Sequence, residues 1–313
     1  MRTLHLIPVD TKIQFIPWRK VFFAASTLLV LCSIGLFTAK GMNYGIDFTG
    51  GILIEVRTQQ KADIAGMRST LSNLDLGSVD LQTFGAPNDV LIRVQTQPGG
   101  DKAQQPAVEK VKDALGPGIE YRRVETVGPK VSEELFWDGI YAVGAAMLAI
   151  LVYIWFRFEW QFGLGAVIAL IHDVLSTIGI FSLLGLEFNL STVAAVLTIA
   201  GYSINDTVVV FDRVRENLRR YKSMTLPELL NVSINETLSR TVMTSLTTLL
   251  ALFALYFLGG EVISGFSFAM IWGVLVGTYS SVCVAVPLLL YLNVRRPRGA
   301  GSEDEKEAAE PAA

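Results

Sequence analysis

Four ionisable residues lie in stretches that are otherwise apolar enough to cross a lipid bilayer. His172 and Asp173 are adjacent near the middle of one apolar run, Asp206 lies near the end of the next, and Arg240 lies near the start of the one after. An ionisable side chain at the centre of a membrane helix costs about 2.5–3.5 kcal/mol, so it is a functional-site candidate by default. A carboxyl group that faces an arginine can switch, because protonation breaks the pair and deprotonation restores it. These residues therefore predict proton transfer.

The spacing also predicts how these residues meet. A rise of 1.5 Å per residue places Asp206 and Arg240 at similar depth, about 8 Å from one membrane boundary. Asn205, next to Asp206, is expected to hydrogen-bond the carboxylate or a water molecule and so tune its proton affinity. Adjacent helix residues cannot both face one partner, so Asp173 is expected to face the bundle interior in preference to His172. A static salt bridge or packing contact is the alternative for Asp206, and extension to the headgroups is the alternative for Arg240.

Composition narrows the classes of protein that these residues can serve. Hydrophobic residues make up 51% of the 313 residues, charged residues make up 18%, and the formal net charge is −3. Soluble domains carry about 25% charged residues, so a membrane protein is predicted, and the lack of a basic bias argues against a nucleic-acid partner. Cys32, Cys283 and two histidines form no metal-ligand pattern, and no nucleophile is paired with a base. We expect neither an enzyme nor a bound metal or other cofactor.

Six apolar runs have the length that a membrane-spanning helix needs. They cover residues 21–39, 136–156, 161–184, 190–211, 237–258 and 264–292. Lys and Arg residues mark cytoplasmic loops, and here they fall on one side of the six runs. The N-terminus (1–20) and a disordered tail (293–313) are therefore predicted to be cytoplasmic, and segment 40–135 to lie outside, in a multi-pass membrane protein. Segment 212–236 is predicted to be a basic amphipathic connector on the membrane surface.

The segment 40–135 has the composition of a soluble domain. Alternating apolar residues predict strands and helical spacing predicts helices, in the order β-α-β-β-α-β. This is the order of the ferredoxin-like split βαβ unit. The predicted fold class is an α-helical membrane protein with six transmembrane helices and one extracytoplasmic α+β ferredoxin-like domain inserted after the first helix.

Two short stretches connect this domain to the membrane. Gly45, Gly50 and Gly51 are predicted to turn the chain from the first span into a strand, since glycine accepts positive φ at little cost. Asp47 is predicted to cap or hydrogen-bond within that turn. Gly128-Pro129 is predicted to be a rigid hinge before the second span.

Three runs are specific enough to identify a family resemblance. They are GIDFTGG (45–51), VGP (127–129) and GYSINDTVVVFDRVREN (201–217). With the six spans and one outer domain, they resemble the SecF family, the smaller membrane subunits of the bacterial SecDF complex within the resistance-nodulation-division superfamily. The resemblance implies that Asp206 and Arg240 take part in proton transport, and that the outer domain moves on its two connections.

The resemblance also implies partners. Six spans form half of a transporter with twofold pseudo-symmetry, so a second six-span chain, SecD, is expected. The SecYEG channel, an unfolded preprotein and the lipid bilayer are the wider partners, and the proton motive force would drive assistance to protein translocation. The alternative is half of a small-molecule or lipid exporter of the same superfamily, for which the outer domain is small. The third hypothesis is a structural scaffold that stabilises the translocase without carrying protons.

Overall fold

The structure is a computed structural model that describes residues 11–292 and residue 294. The predicted cytoplasmic tail (293–313), except residue 294, and the first ten residues of the predicted N-terminal segment lie outside the described residues. A short 3₁₀ turn (Ile16–Trp18) precedes the first long helix. In chain order the elements are α1 (Arg19–Lys40), β1 (Asn43–Tyr44), α2 (Ile46–Thr49), β2 (Gly51–Thr58), α3 (Ile64–Ser72), β3 (Val79–Phe84), β4 (Ala86–Val94), α4 (Asp101–Leu115), β5 (Ile119–Val127), α5 (Pro129–Arg157), α6 (Trp160–Leu184), β6 (Glu187–Phe188), α7 (Leu190–Arg220), α8 (Leu226–Leu258), α9 (Glu261–Ser280), a π-helical turn (Ser281–Ala285) and α10 (Val286–Leu288).

Within the described residues, six helical segments are long and apolar enough to cross a membrane. They contain α1, α5, α6, α7, α8 and α9, so the prediction of six spans is confirmed. Most of these helices extend beyond the predicted boundaries, whereas the last helical segment ends at Leu288, before the predicted end at residue 292. The helix α5 begins at Pro129, and Gly128 alone separates it from β5. The last span changes to a π-helical turn just before Pro287, which has no N–H to donate to the preceding turn.

The predicted surface connector (212–236) has a different structure. Its residues belong to the last turns of α7, a turn at 221–225 and the first turns of α8. Leu218, Leu229 and Leu230 are buried in the core of the helix bundle. The apolar residues that suggested a membrane-surface helix therefore pack against protein instead.

The bundle is built around its most enclosed helix, α9. This helix packs against α6, α7 and α8, while α1 packs against α6. Small residues permit these contacts: a Cβ on Gly179 would lie 2.1 Å from the hydroxyl of Ser33, and one on Gly273 would lie 2.2 Å from Ile199. Glycine at these two positions therefore lets the helices approach closely.

The outer segment forms a four-stranded sheet with strand order β3-β4-β2-β5. All three neighbouring pairs are antiparallel, and the elements follow the predicted order β-α-β-β-α-β. Alternation sends Ile52, Ile54 and Val56 to one face, where they form a core with Leu71 of α3 and Val108 of α4. The other face carries neither α3 nor α4 and looks toward the membrane part; Leu53 and Leu91 on this face pack with Ile46 of α2.

Charged residues hold the open face of the sheet together. Arg57 Nε and Nη2 each donate to a carboxylate oxygen of Asp89 at 2.6 Å, and Arg122 lies 3.6 Å from both Asp89 and Glu55. The Arg57 hydrogen bonds hold the pKa of Asp89 below its ordinary value, although burial acts in the opposite direction. These contacts join β2, β4 and β5 on the face that lacks the packing of α3 and α4.

Candidate functional site

A polar cluster lies in the interior of the bundle where α6, α7 and the end of α9 meet. Its members share burial and short polar side chains: His172 and Asp173 from α6, Ser203, Asp206 and Thr207 from α7, Ser280 at the end of α9 and Ser281 in the π-helical turn. The spacing of three and four residues in α7 puts its members on one face of that helix. The cluster therefore joins three membrane helices through polar groups.

Asp173 is fully buried and has a nearly complete set of partners. Its Oδ2 accepts a hydrogen bond from Ser203 Oγ at 2.5 Å and lies 2.8 Å from Ser280 Oγ. Its Oδ1 lies 2.9 Å from Nδ1 of His172. Both carboxylate oxygens are thus satisfied by side chains from three helices, which fixes the positions of those helices.

His172 is buried as well, which corrects the expectation that only one of the adjacent pair faces the interior. Oδ1 of Asp173 lies within hydrogen-bond distance of the His172 ring, although adjacent helix positions point in different directions. The ring packs 6.1 Å from that of Tyr279, centroid to centroid. Nε2 of His172 has no hydrogen-bond partner among the residues described.

Asp206 has a different environment although it lies in the same cluster. Its side chain is 3% exposed, and its Oδ2 has no hydrogen-bond partner in the described part of the chain. The adjacent Thr207 bonds instead to Ser281, with 3.0 Å between the hydroxyl oxygens. Asp206 is therefore a buried carboxyl group with free capacity to bind a proton or a water molecule.

Arg240 and Asn205 do not join Asp206 in the interior. Both are exposed at the surface of the bundle. No ion pair within 4.0 Å links Arg240 to Asp206 among the described residues. The sequence left open whether these two side chains pair, and within this chain they form no ion pair.

Sequence reasoning missed the serines that complete the cluster. Ser203 lies three positions before Asp206, and Ser280-Ser281 is a polar pair in an otherwise apolar helix. Ser203 could have been found from its helical spacing to Asp206 and Thr207, because these three residues form a polar stripe on one face of the helix. The hydrogen bond from Ser280 to Asp173 joins residues 107 positions apart, and no local sequence pattern predicts it.

The glycine-rich stretch joins the outer domain to the start of α7. Asp47, in α2, accepts a hydrogen bond at 2.9 Å from the backbone N–H of Leu190, the first residue of α7. Gly45 donates its N–H to the carbonyl of Phe188 at 2.9 Å. Gly51 has φ +115°, and a Cβ there would lie 2.5 Å from the carbonyl oxygen of Val94. The sharp turn thus requires glycine, and Asp47 caps a helix far along the chain.

Further contacts join the sheet to the loop between α6 and α7. Arg93 of β4 pairs with Glu187 and donates to Asn43 Oδ1 at 2.7 Å. Asn43 and Tyr44 form a short parallel pairing with Glu187 and Phe188. On the second connection, Gly128 alone separates β5 from α5, and its φ of −74° is open to any residue. An open cleft of about 660 Å³ lies between sheet and membrane helices.

The fold and the site define a multi-pass membrane protein that carries an extramembrane α+β domain and buried carboxyl groups. Residues 107–295 match the family model "Protein export membrane protein SecD/SecF, C-terminal", and residues 35–62 match the "SecD/SecF GG Motif". The chain therefore belongs to the SecD/SecF family of protein-export membrane proteins.

Relatives and solved structures support this assignment over nearly the whole chain. The protein translocase subunit SecF of Rhodobacter capsulatus is 48% identical, with 94% of this chain and 92% of the relative covered. That of Cereibacter sphaeroides is also 48% identical, with 97% and 96% covered. The crystal structure of SecDF from Thermus thermophilus matches 93% of this chain with a TM-score of 0.83 at 39% identity. A super-membrane-facing form of SecDF matches 97% with a TM-score of 0.68 at 37% identity. The chain spans about 40% of the length of these two SecDF chains.

Proposed function

We propose that this chain is a SecF-type subunit that works with a SecD-type chain to assist preprotein translocation, driven by the proton motive force. Similarity to SecF over nearly the full length supports the first part. The solved SecDF chains are much longer, and six spans are half of a pseudo-symmetric transporter, so a second six-span chain is needed. The SecYEG channel and an unfolded preprotein are the proposed wider partners.

The proposed orientation puts both termini in the cytoplasm and residues 40–135 in the periplasm, in the inner membrane. Its support is the positive charge at the end of the bundle that lies away from the sheet, where Arg157, Arg213 and Arg215 lie. We assign the outer domain to the ferredoxin-like class. Strand order β3-β4-β2-β5 with two helices on one face is the arrangement that this class would have.

Asp206 is the proposed proton carrier. The observation that carries the proposal is a carboxyl group that is 3% exposed, lies in a membrane helix, and has one oxygen with no partner among the described residues. An ionisable side chain inside a membrane helix raises the free energy of insertion, so it is by default a candidate for a functional site. Binding a proton neutralises it, and releasing the proton restores a charge that attracts Arg240, which lies on the surface open to a partner chain.

The neighbouring polar groups have supporting roles in this proposal. His172 and Asp173 form a second protonatable pair in the same cluster, and Nε2 of His172 is unpaired in the part of the chain described. Asn205, on the exposed side of α7, faces the proposed partner chain. One proton that crosses 100 mV supplies about 2.3 kcal/mol, which shifts a two-state equilibrium roughly fiftyfold.

The helix α7 is the proposed link between proton and outer domain. Asp206 lies about 24 Å from Leu190 along this helix, at 1.5 Å per residue. The N–H of Leu190 donates a hydrogen bond to the Asp47 carboxylate. A shift of α7 would therefore move α2, which directly precedes the first strand of the sheet. The turn at Gly50 and Gly51 and the single residue Gly128 before Pro129 are the proposed bending points.

Asp206→Asn tests the proposal, because asparagine keeps the size and polarity of the side chain but cannot titrate. Preprotein export is measured in vesicles with the gradient imposed or collapsed, with assembly checked in parallel. We expect normal assembly and export that no longer responds to the gradient. Asp138→Asn is the control, since it removes an exposed carboxylate from α5. Full gradient dependence in Asp206→Asn would leave only the scaffold function.

A further inference from the structure

A second polar site lies at the other end of the bundle, where α5 and α7 end farthest from the sheet. An open cavity of about 600 Å³ is lined by charged side chains only: Arg157, Asp212, Arg215, Glu216, Arg219 and Arg220. The proton-transfer proposal makes no use of it. Four arginines around one cavity indicate an anionic ligand, provided that the carboxylates of Asp212 and Glu216 are paired with arginines.

The carboxylates of the cavity are both engaged by arginines. Asp212 Oδ2 accepts from Arg157 Nη2 at 2.6 Å, and Arg215 lies 3.8 Å from Asp212 Oδ1. Glu216 pairs at 2.9 Å with Arg213, which does not line the cavity. The positive charge of Arg219 and Arg220 is therefore left uncompensated.

The arginines of the cavity differ in their partners. The guanidinium groups of Arg157 and Arg215 lie 5.3 Å and 5.5 Å from the ring centroid of Phe158, which holds them in place. Arg219 and Arg220 are exposed, and neither has a carboxylate within 4.0 Å in the described residues. The guanidinium group of Arg220 lies 5.3 Å from the ring centroid of Tyr221. A site with four guanidinium groups, two of them without a carboxylate partner in the described residues, suits a phosphate, whose oxygens accept paired hydrogen bonds.

Aromatic residues beside the cavity indicate its depth relative to a bilayer. Trp155, Phe156 and Trp160 flank the turn between α5 and α6 and are 81%, 86% and 66% exposed. Tryptophan is enriched at the boundary between hydrocarbon and headgroups. The cavity next to these residues therefore opens at the level where lipid phosphates lie.

We propose that this arginine cavity binds the phosphate headgroup of an anionic phospholipid. Basic pockets between membrane helices have the chemistry to hold such headgroups. A soluble phosphate shares that chemistry, but the exposed tryptophans beside the cavity favour the lipid. The proposal holds whether or not Asp206 carries protons, because the two sites lie at different places along α7.

The test compares the full-length wild-type chain with Arg219→Gln/Arg220→Gln in a neutral detergent. Cardiolipin, phosphatidylglycerol, phosphatidylcholine or inorganic phosphate is titrated, and lipid binding is followed by native mass spectrometry and by the melting temperature. We expect cardiolipin and phosphatidylglycerol to bind roughly thirtyfold more weakly to the variant, the effect of two arginines near an anionic lipid. Phosphatidylcholine should not distinguish the two proteins.

Two further variants make the test decisive. Lys102→Gln/Lys110→Gln removes the same charge from exposed positions of α4, and should bind anionic lipid as the wild type does. Arg219→Lys/Arg220→Lys keeps the charge and should retain most of the binding, even if the glutamine variant folds poorly. Equal lipid binding by all variants would overturn the proposal. So would an equal response to inorganic phosphate with no added effect of the lipid, since the site would then bind a soluble anion.

Discussion

Asp173 and Asp206 are buried carboxyl groups in neighbouring membrane helices, yet their surroundings differ. Asp173 meets His172, Ser203 and Ser280, so that both of its oxygens have partners. Asp206 keeps one buried oxygen without a partner among the described residues. Burial alone therefore does not distinguish a structural carboxylate from a reactive one. The completeness of the hydrogen bonding does.

The difference has an energetic consequence. A buried polar group with all its partners costs little and specifies one arrangement of the helices around it. A buried polar group without partners costs about 1–3 kcal/mol, and a protein retains that cost where function needs it. The two carboxyl groups should consequently respond to the same substitution with opposite changes in stability.

The largest effect is expected for Asp173→Leu. Leucine has the same branching at Cγ but leaves the hydroxyls of Ser203 and Ser280 and the ring of His172 without their shared acceptor. We expect a loss of about 3–5 kcal/mol in the free energy of unfolding, because several buried donors lose a partner together. Thermal unfolding in detergent micelles, with the yield of folded protein, measures it. A loss below about 1 kcal/mol would contradict a structural role for Asp173.

Asp206→Leu should have the opposite sign. The substitution removes an unsatisfied buried oxygen and leaves apolar volume in its place, so we expect a gain of about 1–2 kcal/mol in the free energy of unfolding. Export driven by the proton gradient should be lost in the same variant. The same unfolding measurement, made beside Asp173→Leu, gives the comparison directly. If both variants lose stability equally, the distinction between the two carboxyl groups is wrong.

The sequence predicted those parts of the molecule that local patterns determine. Run length was enough for the six spans, and alternation with helical spacing was enough for the order of strands and helices in the outer domain. The burial of Asp206 also followed, because it depends only on an apolar neighbourhood in the sequence. Periods of two and of 3.6 residues are local signals, so one chain is sufficient to find them.

The parts that the sequence could not predict depend on contacts across the chain. Ser280 meets Asp173 because α9 crosses α6 at that level, and Asp47 meets Leu190 because α2 lies above the start of α7. No pattern around any of these residues specifies the partner. The apolar residue Leu229 was similarly assigned to a membrane surface, whereas the neighbouring helices cover it. Helix amphipathicity shows which side is apolar but not what covers that side.

A smaller effect on stability is expected for Ser280→Ala, which changes a hydrogen-bond partner of Asp173 and leaves Asp173 itself in place. It removes one of three contacts to Asp173, so we expect a loss of about 1–2 kcal/mol in the free energy of unfolding. Thr198→Ala is the control, since Thr198 is exposed and its hydroxyl bonds only to the carbonyl of Ala194 in the same helix. That variant should change stability by less than about 0.5 kcal/mol. Equal losses in both variants would mean that the contact with Asp173 has no special weight.

The smallest effect on stability is expected for Arg240→Gln, although this residue is the proposed counter-charge of Asp206. Arg240 is exposed and forms no ion pair within 4.0 Å in the described residues, so the free energy of unfolding should change by less than about 0.5 kcal/mol. The gradient dependence of export should nevertheless fall, and Arg240→Lys should retain more of it, because the positive charge is what the deprotonated carboxylate attracts. Unfolding in micelles and export in vesicles measure the two effects separately. A large loss of stability in Arg240→Gln would mean that Arg240, like Asp173, has a structural role. Asp206 would then have no counter-charge in this chain.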